Sequence, residues 1–230
     1  MTGSETSVLV KSRAFSETLL LWHVRNTSSF PWRGTRNSYE ILIAEMLLRK
    51  TSRNQVREIF PKFIKSFPNV ASLAGASTSD IVEIIKPLGI EHKRALLLKK
   101  LADSIVSGHG GTIPLKKEEL LKLPGVGMYA TNAVLCFSAG EDVPLVDTNA
   151  IRVVQRVFSP RARKKRARTD PEFWNFVSGL IMPGKGRDFN LALLDFAAAV
   201  CKPKNPKCRE CPNNEICDYY AGTTMKIENK

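Results

Sequence analysis

No apolar run in this 230-residue chain approaches the ~20 residues that a bilayer-spanning helix requires. Met1–Ala14 shows no secretory signal pattern either. The chain therefore reads as intracellular and soluble (cytoplasm or nucleoid in a prokaryote), with no membrane partner. Acidic residues are in deficit: 22 Asp and Glu stand against 35 Lys and Arg, a formal charge of +13. Such an excess suits a polyanion whose neutralised phosphates release counterions. It would also favour an anionic membrane, and it does not separate DNA from RNA. No convincing apolar–polar alternation is present, which argues against strands. Cysteine is scarce, with five residues, and four of them cluster as Cys201-x6-Cys208-x2-Cys211-x5-Cys217. Two disulfides would need an oxidising compartment that no signal peptide supports, so metal ligation is the better reading. Only Cys208 and Cys211 form a short pair, and spacing alone leaves zinc and an iron–sulfur cubane both open. Cys136 lies in the apolar stretch Ala133–Phe137 and reads as core.

What is present is helical periodicity. Apolar positions recur at helical spacing over Phe15–Val24, Tyr39–Leu48, Val56–Phe67, Ser79–Ile85, Arg94–Val106, Lys117–Leu123, Tyr129–Ser138, Asn149–Phe158, Phe173–Leu180 and Phe189–Val200. Turn signals separate them at Pro31, Gly75, Gly89, Gly108–Gly111, Gly140 and Pro183–Gly186. Residues 1–10 show no such pattern and are expected to be mobile. A hydrophobic fraction of 43% in 230 residues is enough for a real core, in one domain or two small ones. The fold class is all-α.

Two local features carry chemistry. Leu123-Pro124-Gly125-Val126-Gly127 cannot extend a helix, because Pro124 lacks an N–H and the glycines permit positive φ. An ordinary tight turn is one reading. The other is a hairpin whose bare backbone N–H groups, at a helix start, hold a phosphate without reading sequence. Downstream, Asp147 opens the helical pattern of Thr148–Val154, where Asp is a favoured N-cap. Glu45 interrupts the apolar run Ile41–Leu48. It can occupy the wet face of an amphipathic helix, or line a pocket where a raised pKa lets it share a proton with a base.

In order along the chain, Phe30-Pro31-Trp32-Arg33, Ile43–Leu48, Leu88-Gly89-Ile90, the hairpin, Val146-Asp147-Thr148-Asn149 and the cysteine run resemble the helix-hairpin-helix DNA glycosylase superfamily. That superfamily includes endonuclease III and the adenine- and thymine-mismatch glycosylases. The resemblance runs from about Trp22 to Tyr220 and implies a monomer acting on double-stranded DNA that contains a mismatched base. It implies two helical domains with the active-site cleft between them: an N-terminal helix (1–29) packing with a C-terminal domain (142–230), and a helical barrel-like domain (30–141) bearing the hairpin. By the same resemblance the cysteine spacing is that of a [4Fe–4S] cluster held by Cys201, Cys208, Cys211 and Cys217. Lys202, Lys204, Lys207 and Arg209 then form a basic surface around it.

The resemblance further assigns Asp147 to stabilise the positive charge that develops on the sugar, and Glu45 to contact the base. Leu123, Gly125, Val126 and Gly127 would meet the DNA backbone. Ile90 matches the wedge loop that fills the gap left by base extrusion. Arg49 and Lys50 stand where relatives read the orphan base or contact phosphate. Tyr129 stands where the bifunctional lyases carry a Schiff-base lysine. The enzyme is thus expected to be monofunctional, with Tyr129 stacking on the base or half-buried in the core. Tyr129, Arg49-Lys50-Thr51 and Pro183–Asn190 are closer to the thymine-mismatch branch, which implies removal of thymine or uracil opposite guanine. An adenine glycosylase acting opposite guanine or 8-oxoguanine, and a noncatalytic DNA-binding module, are the alternatives. The basic run Arg161–Arg168 is expected to be an exposed loop that adds nonspecific affinity.

Overall fold

The computed structural model describes residues 3–160 and 167–228, and among these it holds twelve α-helices and no strand. The helices are α1 (Gly3–Val24), α2 (Ser38–Leu48), α3 (Arg53–Ser66), α4 (Val70–Gly75), α5 (Thr78–Ile85) and α6 (Glu91–His109). They continue with α7 (Lys117–Leu120), α8 (Met128–Val134), α9 (Thr148–Phe158), α10 (Pro171–Ser178), α11 (Gly186–Ala199) and α12 (Asp218–Glu228). Several starts are written in the sequence. Asn37 caps α2, while Ser52/Gln55, Asn69/Ser72 and Ser77/Asp80 form reciprocal capping boxes at α3, α4 and α5.

Two compact units emerge. One is Ser29–Gly140; the other joins Met1–Ser28 to Glu141–Lys230. In the first, α2 packs on α3 and α8, and α6 packs on α4 and α5. Eight of the nine α2 residues from Tyr39 to Leu47 are buried, Glu40 being the exception. A helix buried on all sides in this way is an axis of a core rather than a surface element. In the second unit, α11 packs on α1 and α9. Phe15, Leu19, Val153, Val157, Phe189 and Phe196 belong to its apolar core. Edge-on ring contacts of 5.3 Å join Phe15 to Phe158 and Trp22 to Phe196.

The sequence expectations need four adjustments. Residues 3–10, which show no helical pattern in the sequence, are part of α1. Val8, Leu9 and Val10 are exposed there, so no apolar stripe marks these turns, and the helix propagates outward from the packed Phe15–Leu19 region. Helix α7 ends at Leu120, because the chain must turn before Pro124. Residues Leu135–Ala139 form a π-turn in continuation of α8. Helix α12 has no counterpart among the predicted segments. Of the basic run, 161–166 lie outside the described residues, and Ala167–Thr169 form a short 3₁₀ turn with Ala167 buried.

No helix is long and apolar enough to cross a membrane among the described residues.

Candidate functional site

The hairpin between α7 and α8 buries its apolar side chains and exposes its glycines. Leu123 and Val126 are core residues, and the Val126 N–H donates to the Leu123 carbonyl at 3.1 Å. Only their backbone is left for an external ligand. Gly125 has φ +76°, the left-handed region that glycine enters without cost. Gly127 does not share that conformation: its φ of −108° and ψ of 179° are extended, and it serves as N-cap of α8 with no side-chain cap. The helix start is therefore bare, as an anion-binding N-terminus would be. A Cβ at Gly125 would lie 2.9 Å from both Leu97 methyls and 3.1 Å from Arg49 Nη1. Gly125→Ala should therefore distort the hairpin. A loss of duplex affinity of about tenfold or more, alongside a fall in melting temperature from the strained backbone, is the expected result. Unchanged affinity by fluorescence anisotropy would separate the hairpin from DNA.

Around the hairpin lie two more loops. Arg49 C-caps α2 and donates from Nη1 to the Gly125 carbonyl at 3.0 Å, so its guanidinium rests on the hairpin. Lys50 is exposed with φ +56°. Ile90 N-caps α6 with φ +48° and stands 56% exposed. A β-branched, apolar residue held left-handed and in solvent is doubly unfavourable, and packing does not account for it.

Glu45 is buried in α2, and its neighbours Ala44 and Met46 are buried too, so the wet-face reading fails. Tyr129, the second residue of α8, is half-buried. Helices α2 and α8 are packed together.

Asp147 is the N-cap of α9. Its Oδ1 accepts the backbone N–H groups of Asn149 at 2.8 Å and Ala150 at 2.7 Å, and its Oδ2 accepts from Asn149 Nδ2 at 2.8 Å. Three donors fix the orientation of the carboxylate at the start of α9. A chain of contacts continues from there. Asn149 Oδ1 accepts from Arg152 Nη1 at 2.9 Å; Arg152 Nε and Nη2 donate to the carbonyls of Cys201 and Ala197, each at 2.9 Å. One turn on, Arg156 Nη1 donates to the Lys202 carbonyl at 2.7 Å and approaches Cys201 Sγ at 3.5 Å. The Cys217 thiol contacts the Arg156 carbonyl at 3.4 Å. Helix α9 thus carries Asp147 at its start and grips the cysteine loop along its length.

The four cysteines line one cavity with Val157, Phe196 and Val200. Burial, with the neighbouring Cys217, Cys201 and Cys208 adding to it and a backbone hydrogen bond at Asn213 opposing it, pushes the Cys211 thiol up to about 11. Burial likewise raises Cys208 and Cys217. Among the described residues, no three Cys, His, Asp or Glu side chains close on a single-ion site. Lys204, Lys207 and Arg209 are exposed on this loop.

The sequence does not single out Arg94, Arg152 and Arg156, most of whose partners are backbone carbonyls. Nor does it single out Asp142, which accepts the N–H groups of Gly184 at 2.6 Å and Gly186 at 2.7 Å and so sets the turn into α11. The i,i+4 pair of arginines on α9 was the signal available for two of them.

An all-α chain with an exposed glycine hairpin, a helix-capping aspartate and a basic cysteine loop has the features that suit a nucleic-acid backbone. Residues 43–178 match the family model of the HhH-GPD superfamily base excision DNA repair proteins, and the chain belongs to that superfamily. It is similar to the thymine/uracil-DNA glycosylase of Pyrobaculum aerophilum, with 42% identity over 90% of this chain and 91% of that one. The thymine-DNA glycosylase of Aeropyrum pernix is 41% identical over 90% and 94% of the two chains. Adenine DNA glycosylase of Mycobacterium tuberculosis is 34% identical, and the match spans 69% of it. Among solved structures, a thermostable thymine-DNA glycosylase superposes with a TM-score of 0.89 at 36% identity, covering 92% of this chain and 97% of that one.

Proposed function

We propose that this protein is a monofunctional DNA glycosylase that hydrolyses the N-glycosidic bond of thymine or uracil mispaired with guanine. The observation that carries the reading is the identity of 42% and 41% to thymine- and uracil-releasing enzymes over nine-tenths of the chain. Breaking the bond leaves positive charge on the sugar, and a fixed anion beside C1′ lowers that barrier. Asp147 is the carboxylate for this task, oriented by its three donors, and it also orients the attacking water. Glu45, buried in α2, contacts the extruded base and shares a proton with it. Gly125 and Gly127 present backbone to phosphate, joined by the main chain of Leu123 and Val126. Ile90 fills the vacated stack, and Arg49 and Lys50 address the orphan guanine or its phosphates.

Tyr129 supplies no amine for Schiff-base chemistry, so water is the nucleophile and the product is an intact abasic strand. Product strands should break only after alkali. Tyr129→Lys should gain a borohydride-trappable adduct, and scission by the unaltered protein without alkali would contradict the monofunctional reading.

The cysteine loop suits a [4Fe–4S] cluster held by Cys201, Cys208, Cys211 and Cys217. A single zinc would need its sulfurs about 3.8 Å apart. Thiols that share an apolar cavity without closing on one point suit a larger group. Its binding would lock the loop and present Lys204, Lys207 and Arg209 to phosphates. Anaerobic iron removal should loosen residues 201–217 and weaken duplex binding. Full affinity in a stably iron-free protein would contradict this role.

A further inference from the structure

Arg94 is only 5% exposed, and burial followed by the nearby Arg49 charge lowers its pKa. A guanidinium is costly to bury unless its donors are used. Four of its bonds go to one short stretch of chain. Nη1 donates to the carbonyls of Met46 at 2.8 Å and Leu47 at 3.0 Å, and Nη2 to the Arg49 carbonyl at 3.0 Å and Thr51 Oγ1 at 2.8 Å. The Met46 and Leu47 carbonyls belong to the last turn of α2, where carbonyls lack partners within the helix, and Arg49 and Thr51 follow it as C-cap and loop. Its Nε is buried without a partner.

Arg94 sits in the first turn of α6, and its backbone N–H donates to the Ile90 carbonyl at 3.0 Å. Ile90 is thus one helical turn from a side chain that grips α2 directly beside Glu45. The same elements reach the hairpin. Arg49 donates to Gly125, and Leu97, three residues after Arg94, packs where a Gly125 side chain would be.

We propose that Arg94 is a positioning residue that transmits insertion of Ile90 to the end of α2, so that wedge insertion and seating of the base beside Glu45 occur as one event. This rests on the glycosylase reading. A simple helix cap would lower stability without regard to what stands at position 90. A transmitting contact makes the two positions interdependent.

The test is a double-mutant cycle read by base extrusion, using a duplex with 2-aminopurine next to a U·G pair. Arg94→Lys keeps charge and stem but cannot span the α2 carbonyls and Thr51 together. Ile90→Ala and Arg94→Lys should each slow the fluorescence rise about tenfold, and the double variant about ten- to twentyfold rather than a hundredfold. Duplex affinity should stay within about threefold throughout, because phosphate contacts supply most of it. If Arg94→Lys does not fold, Thr51→Val removes one acceptor and leaves Arg94 in place; it should show the same sub-additivity at smaller size. Penalties that multiply, or a loss confined to melting temperature, would overturn the proposal. Extrusion without release of uracil or thymine would remove the substrate reading and leave this coupling standing. Multiplying penalties with excision intact would remove the coupling alone, and a protein that extrudes no base would overturn both.

Discussion

Asp147→Asn is expected to abolish base excision while leaving a folded protein that still binds mismatched duplex. Asn and Asp are about equally good N-caps, so the amide oxygen can still accept the N–H groups of Asn149 and Ala150 at the start of α9. The change is electrostatic. An Asn side chain removes the anion that would face the sugar as its charge develops, and loss of one such stabilising group costs on the order of 10³-fold in rate. A local adjustment follows as well. Asn149 Nδ2 now donates to Oδ2, and an amide nitrogen in that position would force one of the two side chains to turn. Single-turnover excision beside a melting curve and a binding isotherm separates these effects. Excision within a few-fold of the unaltered protein would show that Asp147 is only a cap.

Arg152→Gln should have the next largest effect, although Arg152 has no assigned contact with DNA. Its guanidinium joins Asn149, which holds Asp147, to the Cys201 and Ala197 carbonyls. Gln is shorter and cannot bridge all three acceptors. The start of α9 would then lose its tether to the cysteine loop, and a displacement of about 1 Å in a reacting group can cost 10²-fold. Excision should fall about 10- to 100-fold with duplex affinity changed far less. A proportional loss of affinity, excision and melting temperature would mean that Arg152 is structural only. Iron content measured on the same preparation tells whether the tether also holds the cysteine loop.

These two residues show what the sequence makes legible. Asp147 could be read because its role as an N-cap is local: an Asp before a helical pattern announces itself within three residues. The hairpin was equally legible, since Pro124 and the glycines restrict the chain where they stand. Even there the detail differed, with positive φ at Gly125 and an extended Gly127. Arg152, Arg156 and Arg94 were silent for the opposite reason. Most of their partners are carbonyls of residues 45 to 49 positions away in the chain, and a carbonyl carries no residue-type signature. Glu45 was half legible: a charge inside an apolar run stands out, but one helix cannot show that its remaining face is covered by other helices. Helix α12 and the first turns of α1 lack an apolar stripe, so periodicity does not reveal them.

Removal of a pyrimidine opposite guanine is decided by an excision panel of four duplexes. End-labelled duplexes with T·G, U·G, A·G and A opposite 8-oxoguanine are incubated with the protein and with Asp147→Asn, then resolved with and without alkali. Alkali-dependent cleavage at T and U, absent from Asp147→Asn, is the predicted result. Cleavage at A instead would place the chain with the adenine enzymes, and no cleavage at any base would contradict a glycosylase altogether.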